Sequence, residues 1–392
     1  MRQRDVLRKI APFMTTSPLT RARRIVVKVG SALLVDQLTG QVNRPWLESL
    51  VEDLLRLRVR KQEVILVSSG AIALGRRELK FAPGVLKLEE SQAAAAVGQI
   101  TLAHIYKELF ARAGVTIAQI LLTLEDSEVR RRYLNARATL SELLELGALP
   151  VINENDTVAT TEIRYGDNDR LAARVAQMTS ADCLLLLSDV AGLYTADPNL
   201  DPTARLIPEV RDITPEIEAM GRGSASAVGS GGMVTKIAAA KIATSAGCAM
   251  AIAAGAPLHP VRRLEEGADC SWFLPHSNPE KARKQWIAGS LRPSGAITID
   301  KGALQALRSG KSLLPAGVTS VSGQFARGDT VSVLDSDGVE IARGMIAYND
   351  QNAARIIGKR SADIEALVGF RGRAEMIHRD DLVLMRSDLA SV

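Results

Sequence analysis

Cysteine and histidine are scarce in this sequence, and each scarcity closes off a class of function. Three cysteines (Cys183, Cys248 and Cys270) stand among 392 residues with no paired spacing. Neither a zinc site nor a disulfide framework follows from them, and a reducing cytoplasm is the compartment they suit. The four histidines (His104, His259, His276 and His378) are scattered without metal-ligand spacing. No apolar run approaches the roughly 18 residues that would span a bilayer. The longest, such as Cys183–Leu187, have the length of buried strands. Two familiar nucleotide signatures are missing as well. Gly310-Lys311-Ser312 has the close of a P-loop, but Gln305 stands where its opening glycine belongs, and no GxGxxG follows a strand.

The formal charge of +5 suggests a basic binding face, but its distribution argues otherwise. Residues 1–24 hold Arg2, Arg4, Arg8, Lys9, Arg21, Arg23 and Arg24 against the single acid Asp5, which leaves the rest of the chain near neutrality. The positive charge belongs to a tail, read over residues 1–23 as a basic, disordered extension. It lacks the apolar core of a secretory signal; a transit peptide and a misplaced start are the other readings of it.

From Ile25 to about Ala254 short apolar runs alternate with amphipathic stretches. The strand-like runs are Ile25–Val29, Val64–Val67, Val115–Leu122, Leu149–Ile152, Cys183–Leu187 and Met250–Ala253. Helix-patterned segments fall between them: Pro45–Arg60, Ala71–Leu79, Gln92–Ala113, Asn135–Leu146, Asp169–Met178 and Thr235–Ala246. Strands apolar on both faces and joined by helical crossovers predict a mainly parallel sheet in a three-layer αβα sandwich over residues 24–275. Pro257, Pro260, Pro275, Pro279 and Pro293 then mark a boundary, with residues 276–294 read as a linker. Beyond it Ala296–Ile299, Thr330–Leu334 and Glu340–Ile346 read as short strands between recurring glycines, a small β-barrel-like module over residues 295–385.

Chemistry-bearing residues gather where strands end. Val26–Ser31 delivers Lys28 near the tip of a buried strand, and Gly30 and Ser31 open the backbone behind it. In parallel sheets ligands bind beyond the carboxyl ends of strands, where a lysine can reach a phosphate. Taken alone, the segment is better explained by an ordinary strand lysine and turn glycine. Ser68-Ser69-Gly70-Ala71 closes the next strand and enters a helix whose first N–H groups suit an anion, although a serine cap is common there. Asn153-Glu154-Asn155-Asp156 and Tyr165-Gly166-Asp167-Asn168-Asp169 follow a third strand, amides and carboxylates dense enough to bind a ligand, although Asx turns would account for Asp167-Asn168 as the cap of the next helix. Val228–Lys236 runs three glycines into a helix that carries Lys236 in its opening turns. Two lysines, several helix N-termini and an organising acid, with no catalytic histidine, fit phosphoryl transfer to an acceptor that is already an anion.

These segments resemble those of the amino acid kinase family. The ordered series VVKVGS, SSGAIALG, VGQ, LLT, NAR, PVINENDTVAT, GDNDRLAARVA, LLLSDVAGLYTADP and GSGGMVTKIAAA carries the resemblance from Ile25, and WIAGSLRPSG, ITIDKGA, SLLPAGV and RGD are similar to the PUA domain found on many members. The resemblance implies that the γ-carboxylate of L-glutamate attacks the γ-phosphate of ATP to give glutamyl 5-phosphate, the first step of proline synthesis. It implies that Lys28 and Lys236 hold the phosphates while Asp169 orients both lysines. Ser69, Asp156 and Asn168, with the N–H groups of Gly70 and Ala71, would hold glutamate. Ser188 and Asp189 would meet the nucleotide, and Ser230, Gly231, Gly232, Met233, Val234, Thr235 and Lys236 would wrap its phosphates. Mg²⁺ would accompany ATP, held by phosphate oxygens and water. Proline as feedback inhibitor and a homo-oligomer are implied too.

Two other readings remain open at this level. A sister kinase acting on aspartate, acetylglutamate, carbamate or a nucleoside monophosphate would share the lysines and glycine loops; VINENDTVAT and GDNDRLAA favour glutamate. An RNA-binding PUA protein is the other. From Glu280 onward 16 lysines and arginines face 13 acids, a weak excess for binding driven by phosphate neutralisation, so nucleic acid is not expected as a partner.

Overall fold

Six strands form the centre of the first unit, five of them almost wholly buried, seen in a computed structural model that describes residues 17–36, 40–82, 84–159, 167–222, 232–288 and 293–385. They are β1 (Arg24–Val29), β2 (Glu63–Ser68), β3 (Ile117–Leu122), β4 (Leu149–Glu154), β5 (Cys183–Ser188) and β7 (Ala249–Ala254). Two short strands, β6 (Glu209–Val210) and β8 (Cys270–Phe273), complete a sheet ordered β3-β4-β2-β1-β5-β7-β8-β6. The expected parallel arrangement holds throughout except between β7 and β8, which run antiparallel. The antiparallel strand was not foreseen: four residues with Ser271 in the middle carry too little apolar signal.

Side-chain alternation along β1 fixes the geometry of everything that follows. Ile25, Val27 and Val29 face a core built with Leu47, Leu50 and Leu54 of helix Arg44–Val59 and with Leu102, Tyr106 and Phe110 of helix Leu88–Ala111. Val26 and Lys28 face the other way. On that side lie helix Asp167–Thr179, which packs on β1, and helix Met233–Ser245, which packs on β7 and on its neighbour. Lys28 thus shares a layer with the N-terminal turns of both helices.

β1 also sits where the chain changes direction across the sheet. β2, β3 and β4 lie on one side of it, and β5 and β7 on the other. Adjacent strands whose connections leave in opposite directions, as those of β1 and β5 do, open a crevice at their carboxyl ends, the place where open parallel sheets bind ligands.

The chain forms two compact units, residues 1–127 with 137–279, and residues 128–136 with 280–392. Residues read as linker include a helix, Pro279–Ala288. The second unit holds a five-stranded sheet of β9 (Gly295–Ile299), β10 (Val318–Gly323), β11 (Thr330–Leu334), β12 (Glu340–Met345) and β13 (Leu382–Leu384). Its order is β10-β9-β11-β12-β13, antiparallel except for the β9–β11 pair. Ile297, Ile299, Val331, Val333 and Ile341 form its core with Ala353 and Ile356 of helix Asp350–Ile356. Among the described residues no helix is long and apolar enough to cross a membrane. Cys183 and Cys248 are free and buried, and loss of solvent pushes both thiols well up, so neither sulfur is an available nucleophile.

Candidate active site

Asp169 joins the two lysines that the sequence singled out. The carboxylate lies in the first turns of helix Asp167–Thr179 with no solvent exposure. Its Oδ1 stands 2.6 Å from Lys28 Nζ, and its Oδ2 stands 3.2 Å from Lys236 Nζ. Thr235 Oγ1 donates to the same Oδ2 at 3.2 Å. Burial pushes the Asp169 carboxyl up, but the two ammonium groups outweigh that effect and hold it below the usual carboxylate range. Two cations around one anion leave an excess positive charge in a site nearly closed to water, since Lys28 is 7% and Lys236 6% exposed. Such a site attracts a polyanion and stabilises charge that develops on a transferring group.

A second polar cluster begins one residue earlier. Asn168 Nδ2 donates to Ser69 Oγ at 2.7 Å and to Asn153 Oδ1 at 3.2 Å. Asn153, buried at the end of β4, in turn donates from Nδ2 to Gln99 Oε1 at 2.8 Å. Because Asn168 and Asp169 are consecutive, this cluster and the lysine cluster share one helix N-terminus. Asp156 is buried in the short 3₁₀ turn Asp156–Val158 that follows β4.

A turn at Gly70 and a close helix contact at Gly75 and Gly98 lie behind the approach of Ser69 to this cluster. Gly70 takes φ +108, a left-handed conformation that lets the chain turn from β2 straight into helix Ala71–Glu78. That helix meets helix Leu88–Ala111 through Gly75 and Gly98; a Cβ on Gly98 would lie 1.8 Å from the Ala71 carbonyl oxygen. With no side chain at 98, the helices touch backbone to backbone. Gln99, the next residue, then reaches the tip of β4.

On the nucleotide side expected from the sequence, Ser188 ends β5, is buried, and donates from Oγ to Asp189 Oδ1 at 2.8 Å. Its carbonyl accepts from Gly255 N at 2.7 Å, and the Gly255 carbonyl accepts from the buried Trp46 indole at 2.7 Å. Gly30 borders the same crevice: a Cβ there would sit 3.8 Å from Lys28 Nζ and 3.9 Å from the Leu187 carbonyl oxygen. Gly232, Met233 and Thr235 lie at the start of helix Met233–Ser245, and Val234 is exposed beside them. Ser230 and Gly231 fall outside the described residues. Gln99 stands in the run VGQ and Asn153 in the polar run after the third strand, but neither had an assigned role. A lone amide in the apolar run Ala93–Ile100 was the signal that could have found the first of them.

The Amino acid kinase family model matches residues 23–254, and a PUA domain model matches residues 295–368. The chain belongs to the amino acid kinase family and carries a C-terminal PUA domain. Among curated relatives, the Glutamate 5-kinase of Paramagnetospirillum magneticum is 62% identical over 94% of this chain and 99% of its own length. The Glutamate 5-kinase of Allorhizobium ampelinum is 62% identical over 93% of each chain, and that of Sinorhizobium fredii 60% identical over 94% of each.

Proposed function

We propose that this protein transfers the γ-phosphoryl group of ATP to the γ-carboxylate of L-glutamate, giving glutamyl 5-phosphate and ADP at the entry to proline biosynthesis. The observation that carries the reading is the Lys28–Asp169–Lys236 cluster at a helix N-terminus shared with Asn168 and Ser69, in a chain near 60% identical to proteins named glutamate 5-kinase along almost their whole length.

In this reading Ser69, Asp156, Asn168 and the N–H groups of Gly70 and Ala71 hold glutamate. Its γ-carboxylate, with an ordinary pKa near 4.3, is an anion at neutral pH and needs no general base. One carboxylate oxygen forms a bond to the γ-phosphorus while the bond from that phosphorus to the β–γ bridging oxygen breaks. The electron pair leaves with ADP. Lys28 and Lys236 hold the phosphates and neutralise the charge that spreads over the transferring oxygens, and Asp169 keeps both ammonium groups aimed at it. Ser188 and Asp189 meet the nucleotide, and the segment from Ser230 to Lys236 wraps its phosphates.

ATP enters as its Mg²⁺ complex. In this reading the cation takes its oxygens from phosphate and water, as a hard cation prefers. Proline acts as feedback inhibitor through its likeness to part of glutamate, and the enzyme works as a cytoplasmic homo-oligomer. The near balance of charge from Glu280 onward supports a role for the PUA domain other than nucleic-acid binding.

Purified protein with ATP, Mg²⁺ and glutamate, in the presence of hydroxylamine, should release the γ-glutamyl hydroxamate, with less formed when proline is added. Turnover of aspartate or of a nucleoside monophosphate in place of glutamate would overturn the assignment.

A further inference from the structure

We propose that Gln99 is a positioning residue for the amino-acid substrate: it sets the polarity of a three-amide relay, Gln99–Asn153–Asn168, whose last carbonyl oxygen reads the α-ammonium group. The inference rests on the glutamate reading above and adds a residue that touches no substrate.

With Gln99 Oε1 turned toward Asn153, each further amide in the relay has one way to face its neighbour. Gln99 Oε1 accepts from Asn153 Nδ2 at 2.8 Å, so Asn153 must turn its Oδ1 outward. That oxygen accepts from Asn168 Nδ2 at 3.2 Å, and the same Nδ2 donates to Ser69 Oγ at 2.7 Å. Asn168 is left with its Oδ1 shielded from solvent and without a partner among the described residues. A buried acceptor with no donor is costly, and an ammonium group would satisfy it. Reversing any one amide would put two donors or two acceptors face to face. The polarity at Asn168 is therefore decided two residues away, at Gln99.

The fold holds Gln99 at the strand tip. It is 8% exposed, and it follows Gly98, where the two helix backbones meet too closely to admit a Cβ. An alanine-rich helix holds a buried glutamine at this point, and its acceptor has a partner at the strand tip. Core packing alone would favour leucine or methionine there.

The test compares Gln99→Leu, Gln99→Met and Gln99→Glu with wild type in steady-state kinetics, with thermal melting and with glutarate, which lacks the α-ammonium group, as a competitive inhibitor. Loss of one buried hydrogen bond from the relay should raise the KM for glutamate roughly tenfold in the Leu and Met variants and leave the KM for ATP unchanged. The preference for glutamate over glutarate should shrink by a similar factor. Gln99→Glu keeps an acceptor for Asn153 and should stay within about threefold of wild type. Unchanged glutamate KM and unchanged preference in the Leu variant would overturn the proposal, as would equal losses for both substrates, or a Glu variant no better than Leu. If both apolar variants fail to fold, Gln99 is a structural residue and the proposal is wrong. A wild-type protein inactive on glutamate would sink the functional reading itself, whereas an active wild type with indifferent variants would sink this inference alone.

Discussion

Asp169→Asn removes one negative charge and nothing else of size. In the wild type the carboxylate faces two lysine side chains that are themselves 8% and 7% exposed. The variant leaves both ammonium groups buried near each other with only an amide between them. Removing one partner of a buried pair costs about 3–5 kcal/mol, because the remaining charge is uncompensated. At roughly 2–4 °C per kcal/mol for a domain of this size, the melting midpoint should fall by about 10 °C. Turnover should fall about 10²–10³-fold, the loss seen when a group that stabilises transition-state charge is disordered. The KM for ATP should not rise, since the site has become more positive. Saturating ATP should restore part of the lost stability, because the triphosphate binds only the folded protein and neutralises the lysines.

The pH dependence has a definite sign. Asp169 titrates below its ordinary value in the folded protein. Its contribution is fully present above the unfolded-state pKa, near 3.9, and is lost as pH falls through the folded value. The melting gap between wild type and variant should stay constant from pH 8 to about 5 and close only below about 4. Thermal melts across pH, with hydroxamate formation as the activity assay, decide the matter. A variant that melts and turns over like wild type would refute the idea that Asp169 organises the site.

Three further outcomes follow from the same geometry. Lys236→Ala should cut turnover by at least about 10²-fold with a smaller change in melting than Asp169→Asn, since it removes a cation and leaves Asp169 paired with Lys28; wild-type rates in a folded variant would rule out its role. Asp156→Ala should raise the KM for glutamate more than that for ATP, and the reverse pattern would place Asp156 on the nucleotide. Gly98→Ala drives a Cβ to 1.8 Å from the Ala71 carbonyl oxygen, so calorimetry should show a loss of about 1–3 kcal/mol. The displaced N-terminus of helix Ala71–Glu78 should weaken glutamate binding as well.

What the sequence determined by itself was local. Apolar runs such as Ile25–Val29 and Cys183–Leu187 can only be buried strands, and the changes from strand to polar loop to helix locate Lys28, Ser69 and Asn168–Asp169 at strand tips or helix starts. Periodicity and turn chemistry act over a few residues, so they are readable in one dimension. The two-residue β6 and the antiparallel β8 are too short for such a signal, and helix Pro279–Ala288 lies in a segment whose prolines read as linker.

Tertiary structure decided which tips meet. The hydrogen bond from Asn168 to Ser69 spans 99 positions, and the ion pair from Lys236 to Asp169 spans 67. Both depend on a strand order, β4-β2-β1-β5-β7, that no local pattern encodes. The buried relay through Gln99 shows the same limit: one amide among alanines acquires a task only when Gly98 lets two helices touch and bring it to the end of β4. Local sequence supplies the charged and polar groups. Burial of both faces of one sheet, with helices on each side, forces distant groups into a single crevice where their charges must balance.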